Sequence, residues 1–95
     1  MYSNQLKTIG GDVDVSADST TVYTGRCFLY GYVVNTVLSA HALPLKDGTT
    51  TKFTIPASAA VGAYVSIPGL TFNTSLVADP NDAATGNVTL FYATE

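Results

Sequence analysis

With 95 residues, a net charge of −3 and only four Lys+Arg, the chain has room for one domain and no basic footprint for nucleic acid. Its one Cys excludes an intramolecular disulfide, and no apolar run approaches the ~18 residues of a membrane span. At 46% hydrophobic and 12% charged it is apolar for its size, which fits either a sandwich rich in Ala and Val or a surface that a partner covers.

Met1-Tyr2-Ser3-Asn4-Gln5-Leu6 has neither a basic region nor an apolar stretch, so no secretory signal is expected. The segment offers little to a core of its own. It reads as an arm that makes contacts outside its domain, with Gly10-Gly11 as a flexible joint. Turn signals then recur at Gly10-Gly11-Asp12, Ala17-Asp18-Ser19, Lys46-Asp47-Gly48, Pro56-Ala57-Ser58, Pro68-Gly69 and Asp79-Pro80-Asn81-Asp82. The runs between them are rich in Thr, Val, Tyr, Phe and Ile, residues that suit a pleated, half-buried surface. They predict strands near 12–16, 20–24, 26–36, 40–46, 50–55, 63–67, 70–78 and 86–93.

Alternation assigns faces. Phe28, Tyr30, Tyr32 and Val34 fall on one side of the third strand, and Leu29 and Val33 on the other. A strand apolar on both faces is central or covered, and Gly31 in its middle predicts a bulge or a close backbone approach. In the last strand Val88, Leu90 and Tyr92 oppose Asn87, Thr89 and Phe91. In the fifth, Thr51, Phe53 and Ile55 oppose Lys52 and Thr54. The one helix candidate is Ala57–Gly62, a single turn after Pro56 closed by Gly62. The expectation is an all-β, antiparallel β-sandwich of about eight short strands, with a jelly roll among the architectures that fit. Residues 1–24 read as an N-terminal arm with the first strands and 25–95 as the sandwich, within a single domain overall.

No chemistry emerges. His41 has no HxH or CxxC companion, so it reads as a hydrogen-bonded strand or loop histidine and no metal or cofactor is expected. Seven Ser and six Asp could complete a triad with His41 on paper, but no nucleophile-elbow motif accompanies them. Asp12, Asp14 and Asp18 read as a solvated turn region. Asp79-Pro80-Asn81-Asp82 lacks the spacing of a calcium loop and reads as a turn. Asn73-Thr74-Ser75 and Asn87-Val88-Thr89 match the glycosylation sequon without a secretory context. Cys27, in Cys27-Phe28-Leu29-Tyr30, reads as a buried inert thiol. The tyrosines read as core packing with their hydroxyls at sheet edges. No catalytic, cofactor-binding or metal residue is assigned, and the chain is expected not to be an enzyme.

The motifs also have an order. Gly25-Arg26-Cys27-Phe28-Leu29-Tyr30-Gly31-Tyr32-Val33-Val34-Asn35-Thr36 runs into Ala42-Leu43-Pro44-Leu45-Lys46-Asp47-Gly48. Phe53-Thr54-Ile55-Pro56-Ala57 follows, then Ile67-Pro68-Gly69-Leu70-Thr71-Phe72-Asn73-Thr74-Ser75-Leu76, and last Gly86-Asn87-Val88-Thr89-Leu90-Phe91-Tyr92. This succession resembles small all-β virion proteins of tailed bacteriophages, over Gly25 to Tyr92. The resemblance implies a structural role in the particle, as head decoration, capsid stabiliser or neck or tail accessory, and it implies no catalytic residues. The implied partners are the major capsid protein or other virion subunits. The implied location is the virion, after folding in the reducing bacterial cytoplasm. The sparse charge adds an expectation of a homo-oligomer held by apolar burial, with a trimer as first choice because three-fold lattice positions suit it. A competing reading is a receptor- or glycan-binding β-sandwich. Exposed loop aromatics would favour it, whereas these loops are mostly Asp, Gly, Thr and Ala.

Overall fold

The computed structural model describes residues 8–95. Eight strands follow one another: β1 (Ile9–Asp14), β2 (Thr20–Thr24), β3 (Cys27–Thr36), β4 (Leu43–Asp47), β5 (Thr50–Ile55), β6 (Tyr64–Phe72), β7 (Ser75–Ala78) and β8 (Asn87–Thr94). They form two four-stranded sheets, ordered β1-β8-β3-β6 and β2-β7-β4-β5, with every described pairing antiparallel. The pairs β1–β8, β2–β7, β3–β6 and β4–β5 nest about the tight turn at Gly48-Thr49. The chain is thus one long hairpin, closed at that turn and wound alternately into two sheets. That winding is a jelly roll, the eight-stranded double Greek key.

The core lies between the sheets. Val13, Cys27, Leu29, Val34, Leu43, Leu45, Ile55, Phe72, Leu76, Val88 and Leu90 are fully or almost fully buried there. β1 and β2 each complete one of the sheets, so the described residues share a single core. The segment Met1–Leu6, expected to act as an arm, lies outside the described residues.

Three local expectations are corrected. Gly10-Gly11 is not a joint but part of β1, paired with Phe91 and Leu90. A Cβ on Gly11 would come within 2.5 Å of Val22 Cγ1, so the glycine there serves close packing between the sheets. Pro68-Gly69 is not a turn either. β6 runs through it, and the chain reverses at Asn73-Thr74 instead. Pro68 is tolerated because β6 is an edge strand, and Gly69 supplies the positive φ of 89° that a bulge needs. Ala57–Gly62 forms two turns rather than a helical one. Its backbone is drawn into bonds with the chain around β3. Ser58 N–H donates to Ser39 O (2.8 Å), Leu38 N–H to Ala59 O (3.1 Å) and Gly62 N–H to Val34 O (2.8 Å).

A fourth correction concerns β3. Cys27 and Leu29 are buried, but so are Tyr32 and Val34, while Phe28, Tyr30 and Val33 are half-buried. The inward set therefore changes parity in mid-strand. The register shifts between Leu29 and Gly31 against both neighbours: Tyr30 is an extra residue against β8, whereas against β6 the surplus lies on β6 itself, where Ile67–Gly69 span the single Tyr30. One inserted residue transfers all later side chains to the opposite face. Phe28 and Tyr30 thus do not share a face with Tyr32 and Val34. The bulge anticipated at Gly31 is present and is itself the cause.

Cys27 is fully buried, and desolvation first, with the charge of Asp47 second, raises its thiol pKa. A thiol reagent is expected to label it slowly in native protein and rapidly in urea. Cys27→Ser is expected to cost about 1–3 kcal/mol by burying a hydroxyl without an assured partner, as read from chemical denaturation. Rapid labelling of native protein would contradict the burial.

Candidate interaction surfaces

The outer faces of the two sheets differ in kind. On the β2-β7-β4-β5 sheet, Thr21, Val77 and Lys46 are register partners, as are Pro44 and Thr54. Lys46 Nζ pairs with Asp79 Oδ2 at 2.7 Å. This is a solvated β-surface of the common kind.

The outer face of the β1-β8-β3-β6 sheet is apolar and aromatic through its middle. One row across the four strands is Asp12, Thr89, Val33 and Tyr64, and the next joins Gly10, Phe91 and Gly31. Tyr64 and Phe91 meet edge to face with ring centroids 6.0 Å apart. Both glycines lie under these rings. A Cβ on Gly10 would sit 3.9 Å from Phe91 Cε1, and one on Gly31 would sit 3.1 Å from the Tyr64 hydroxyl. Aromatic cover of glycine in this way restores packing that a bare backbone lacks. Phe28 continues the face and carries the Arg26 guanidinium 5.4 Å from its ring centroid.

Charge lies at the borders of this face. At one end Arg26 pairs with Glu95 at 2.7 Å, with both side chains well exposed, so the pair adds little stability. Asp12, on the edge strand β1, borders the row of Thr89, Val33 and Tyr64, and Asp14 stands at the other end with an amide network. Asn35 Nδ2 donates to Asn87 Oδ1 and Thr89 Oγ1, both at 2.8 Å. A sheet face carrying Val33, Phe91, Tyr64 and Phe28 between polar ends has the makeup of an interaction surface, apolar at its centre with a polar rim.

A second surface lies where the sheets end. β6 is the last strand of one sheet and β5 of the other. Between them runs an open groove of about 750 Å³, lined by Phe53, Val65, Ile67, Pro68 and Leu70 with Lys52 at its border.

No family model, curated protein or solved structure matches this chain.

The residues weighed for chemistry are dispersed. His41 sits half-buried in the bend before β4. Among the described residues no group of three or more His, Cys, Asp or Glu could hold a metal ion. Asp79 is committed to Lys46, and Asn81 Oδ1 accepts the Ala83 N–H at 2.9 Å, which makes this stretch a capped turn. Asp14 Oδ1 accepts both the N–H and the Oγ–H of Ser16, at 3.0 and 2.6 Å, in the turn after β1. Of the two sequons, Asn73 is exposed in the turn before β7, and Asn87 belongs to the amide network. The tyrosines divide. Tyr32 packs on Phe53 and Tyr92 on Tyr23, but Tyr64 is 59% exposed on the outer face.

The sequence did not single out Asp47 beyond a turn signal, yet it organises one end of the molecule. Its carboxylate accepts three backbone N–H groups, from Asn73 (2.9 Å), Thr74 (2.7 Å) and Ser75 (3.3 Å). It thereby ties the β4–β5 turn to the β6–β7 turn. The bonds from Asn73 and Thr74 hold its pKa below the ordinary carboxylate value, with that from Ser75 and the charge of Lys52 adding to the effect. A depressed folded-state pKa stabilises the fold above the unfolded value of about 3.9, and that stabilisation is lost as pH falls through the folded value. Asp47→Asn is expected to melt lower than wild type at pH 7, with the difference shrinking below about pH 4. Thermal melts across that range check it, and a difference independent of pH would count against the assignment.

Proposed function

We propose that this chain is a non-enzymatic structural subunit of a tailed-phage virion, a decoration or stabilising protein that binds capsid or other virion subunits and self-associates. The observation that carries this reading is the outer face of the β1-β8-β3-β6 sheet, where Val33, Phe91, Tyr64 and Phe28 lie between polar ends. An antiparallel sheet with a core on one side needs no such residues on the other. The motif order from Gly25 to Tyr92 supplies the phage context. The jelly roll by itself carries no function, because capsid and lectin domains both use it. Weak contacts per copy suffice on a lattice, since many copies act together. The Cys27 thiol would stay reduced in the cytoplasm where such a protein folds.

The test is the copy number of the chain in density-purified particles from the source that carries its gene, measured against the major capsid protein by quantitative mass spectrometry. A ratio set by the capsid lattice is the expected result for decoration. A few copies per particle would move it to the neck, tail or fibre. Its absence from the particles would overturn the reading.

A further inference from the structure

We propose that Asp47-Gly48 is a site of isoaspartate formation that the fold guards through Ser75, and that it isomerises when the β4–β5 turn parts from the β6–β7 turn.

Among the chain's six Asp and five Asn, Asp47 alone is followed by glycine. The chemistry needs that neighbour. The Gly48 backbone nitrogen attacks the carbon of the protonated Asp47 carboxyl. An N–C bond forms, and the proton on the nitrogen leaves with the carboxyl OH as water. The five-membered succinimide so formed then takes up water at either of its two carbonyls. One opening returns aspartate, and the other leaves the main chain running through the side-chain carbon as isoaspartate. No oxidant, reductant or further reactant is consumed. Glycine has no Cβ to obstruct the approach, and its backbone rotates freely.

The native structure engages both reacting groups, and with the same turn. Gly48 N–H donates to Ser75 Oγ at 3.2 Å. Asp47 Oδ1 accepts the N–H groups of Thr74 and Ser75, and Oδ2 accepts that of Asn73. The first bond fixes the peptide plane whose nitrogen would attack. The others hold the carboxyl as its anion, which has no OH to lose and is a poor electrophile. Ser75 joins the two halves of the guard, since its N–H reaches the carboxylate and its hydroxyl the attacking amide. It is also the one polar residue buried among the described residues. A buried hydroxyl without a partner is costly, and the partner here is the Gly48 N–H.

The guard lies at an exposed end of the sandwich. Asn73 and Thr74 are exposed, and Asp47 and Gly48 are half-buried. Parting the two turns uncovers little core, so local opening rather than global unfolding sets the rate. The product does not close again in the same way. Isomerisation adds one carbon to the main chain between β4 and β5 and moves the carboxylate, so the three N–H groups lose their acceptor. The modification therefore keeps a permanent record of opening at this end.

Peptide mapping of the full chain, held at about pH 5 so that part of any unguarded carboxyl is protonated, counts isoaspartate at position 47. Heavy-oxygen water labels each hydrolysis by mass. Native protein is compared with protein unfolded in guanidinium. Formation in the native chain should be about a hundredfold or more slower, because only the opened fraction reacts. Ser75→Ala should raise the native rate about tenfold, whereas Val88→Ala, a core truncation away from these turns, should leave it unchanged. Should Ser75→Ala fold poorly, hydrogen exchange of wild type decides, with the Gly48 amide protected although it lies in a surface turn. Native and unfolded chains isomerising at one rate, Ser75→Ala no faster than Val88→Ala, or an unprotected Gly48 amide would overturn the proposal.

Discussion

Phe72→Ala is expected to bring the domain close to unfolding. Phe72 closes β6, pairs with Cys27 of β3 and is fully buried with Leu29, Leu43, Leu45 and Leu76 in the core. Removing a buried phenyl ring costs about 3–5 kcal/mol through lost transfer energy and the cavity left behind. A chain of this length has a total stability of about 5–14 kcal/mol. The substitution therefore consumes a large part of the whole. The melting temperature should fall by about 12 °C or more, given a shift of about 4–8 °C per kcal/mol in so small a domain. Differential scanning calorimetry reads it directly. A fall of only a few degrees would mean that Phe72 is not enclosed as described.

Gly31→Val is the second large effect, and its cause is the opposite one. A Cβ at position 31 would lie 2.6 Å from the Val65 carbonyl oxygen and 3.1 Å from the Tyr64 hydroxyl. The first neighbour is backbone and cannot rotate away. β6 would have to move off β3 at the point where the bulge sets which side chains face inward. Overpacking of this kind costs about 3 kcal/mol at the upper end of its ordinary range. Urea denaturation should show that loss, and hydrogen exchange should show early opening of β6 while β1–β8 pairing stays protected. Uniform loss of protection across the sheet would place the defect elsewhere.

The bulge explains where sequence reading stops. The all-β class and the eight strands follow from Thr, Val, Tyr and Phe runs between turn residues, because propensity and punctuation are local. The alternation of Val88, Leu90 and Tyr92 against Thr89 and Phe91 holds in β8, whose residues run without an insertion of their own. It fails in β3 because a period-2 pattern cannot show where an inserted residue reverses it. Gly31 marked the place but not the consequence. Pro68-Gly69 and Gly10-Gly11 failed for a related reason. The same dipeptide serves a turn, a bulge or a close approach between sheets, and only the neighbouring strand decides which. Ala57–Gly62 has the composition of a helical turn, but its amides and carbonyls find partners on the chain around β3.

The candidate surfaces were legible only in outline. Low charge and a strand apolar on both faces pointed to covered surface. That the cover should fall over Val33, Phe91 and Tyr64 depends on the strand order β1-β8-β3-β6, which places β8 beside β3 although 50 residues (37–86) lie between the end of β3 at Thr36 and the start of β8 at Asn87. The groove between β5 and β6 is likewise a product of topology, since each strand ends a different sheet. Asp47 was visible as a turn residue, but its three N–H partners lie 26 to 28 positions away.

The central claim is that the outer face of the β1-β8-β3-β6 sheet binds a virion partner. Co-sedimentation of purified chain with particles that lack it tests this most directly, comparing wild type with Val33→Lys. Val33 is half-buried in the middle of that face, and a lysine there can extend its charge to solvent while its stem covers the same ground. The account predicts saturable binding of wild type, and loss of binding by a Val33→Lys protein whose circular dichroism and melting temperature match the parent. Equal binding by the two proteins, or no binding by either, would contradict it.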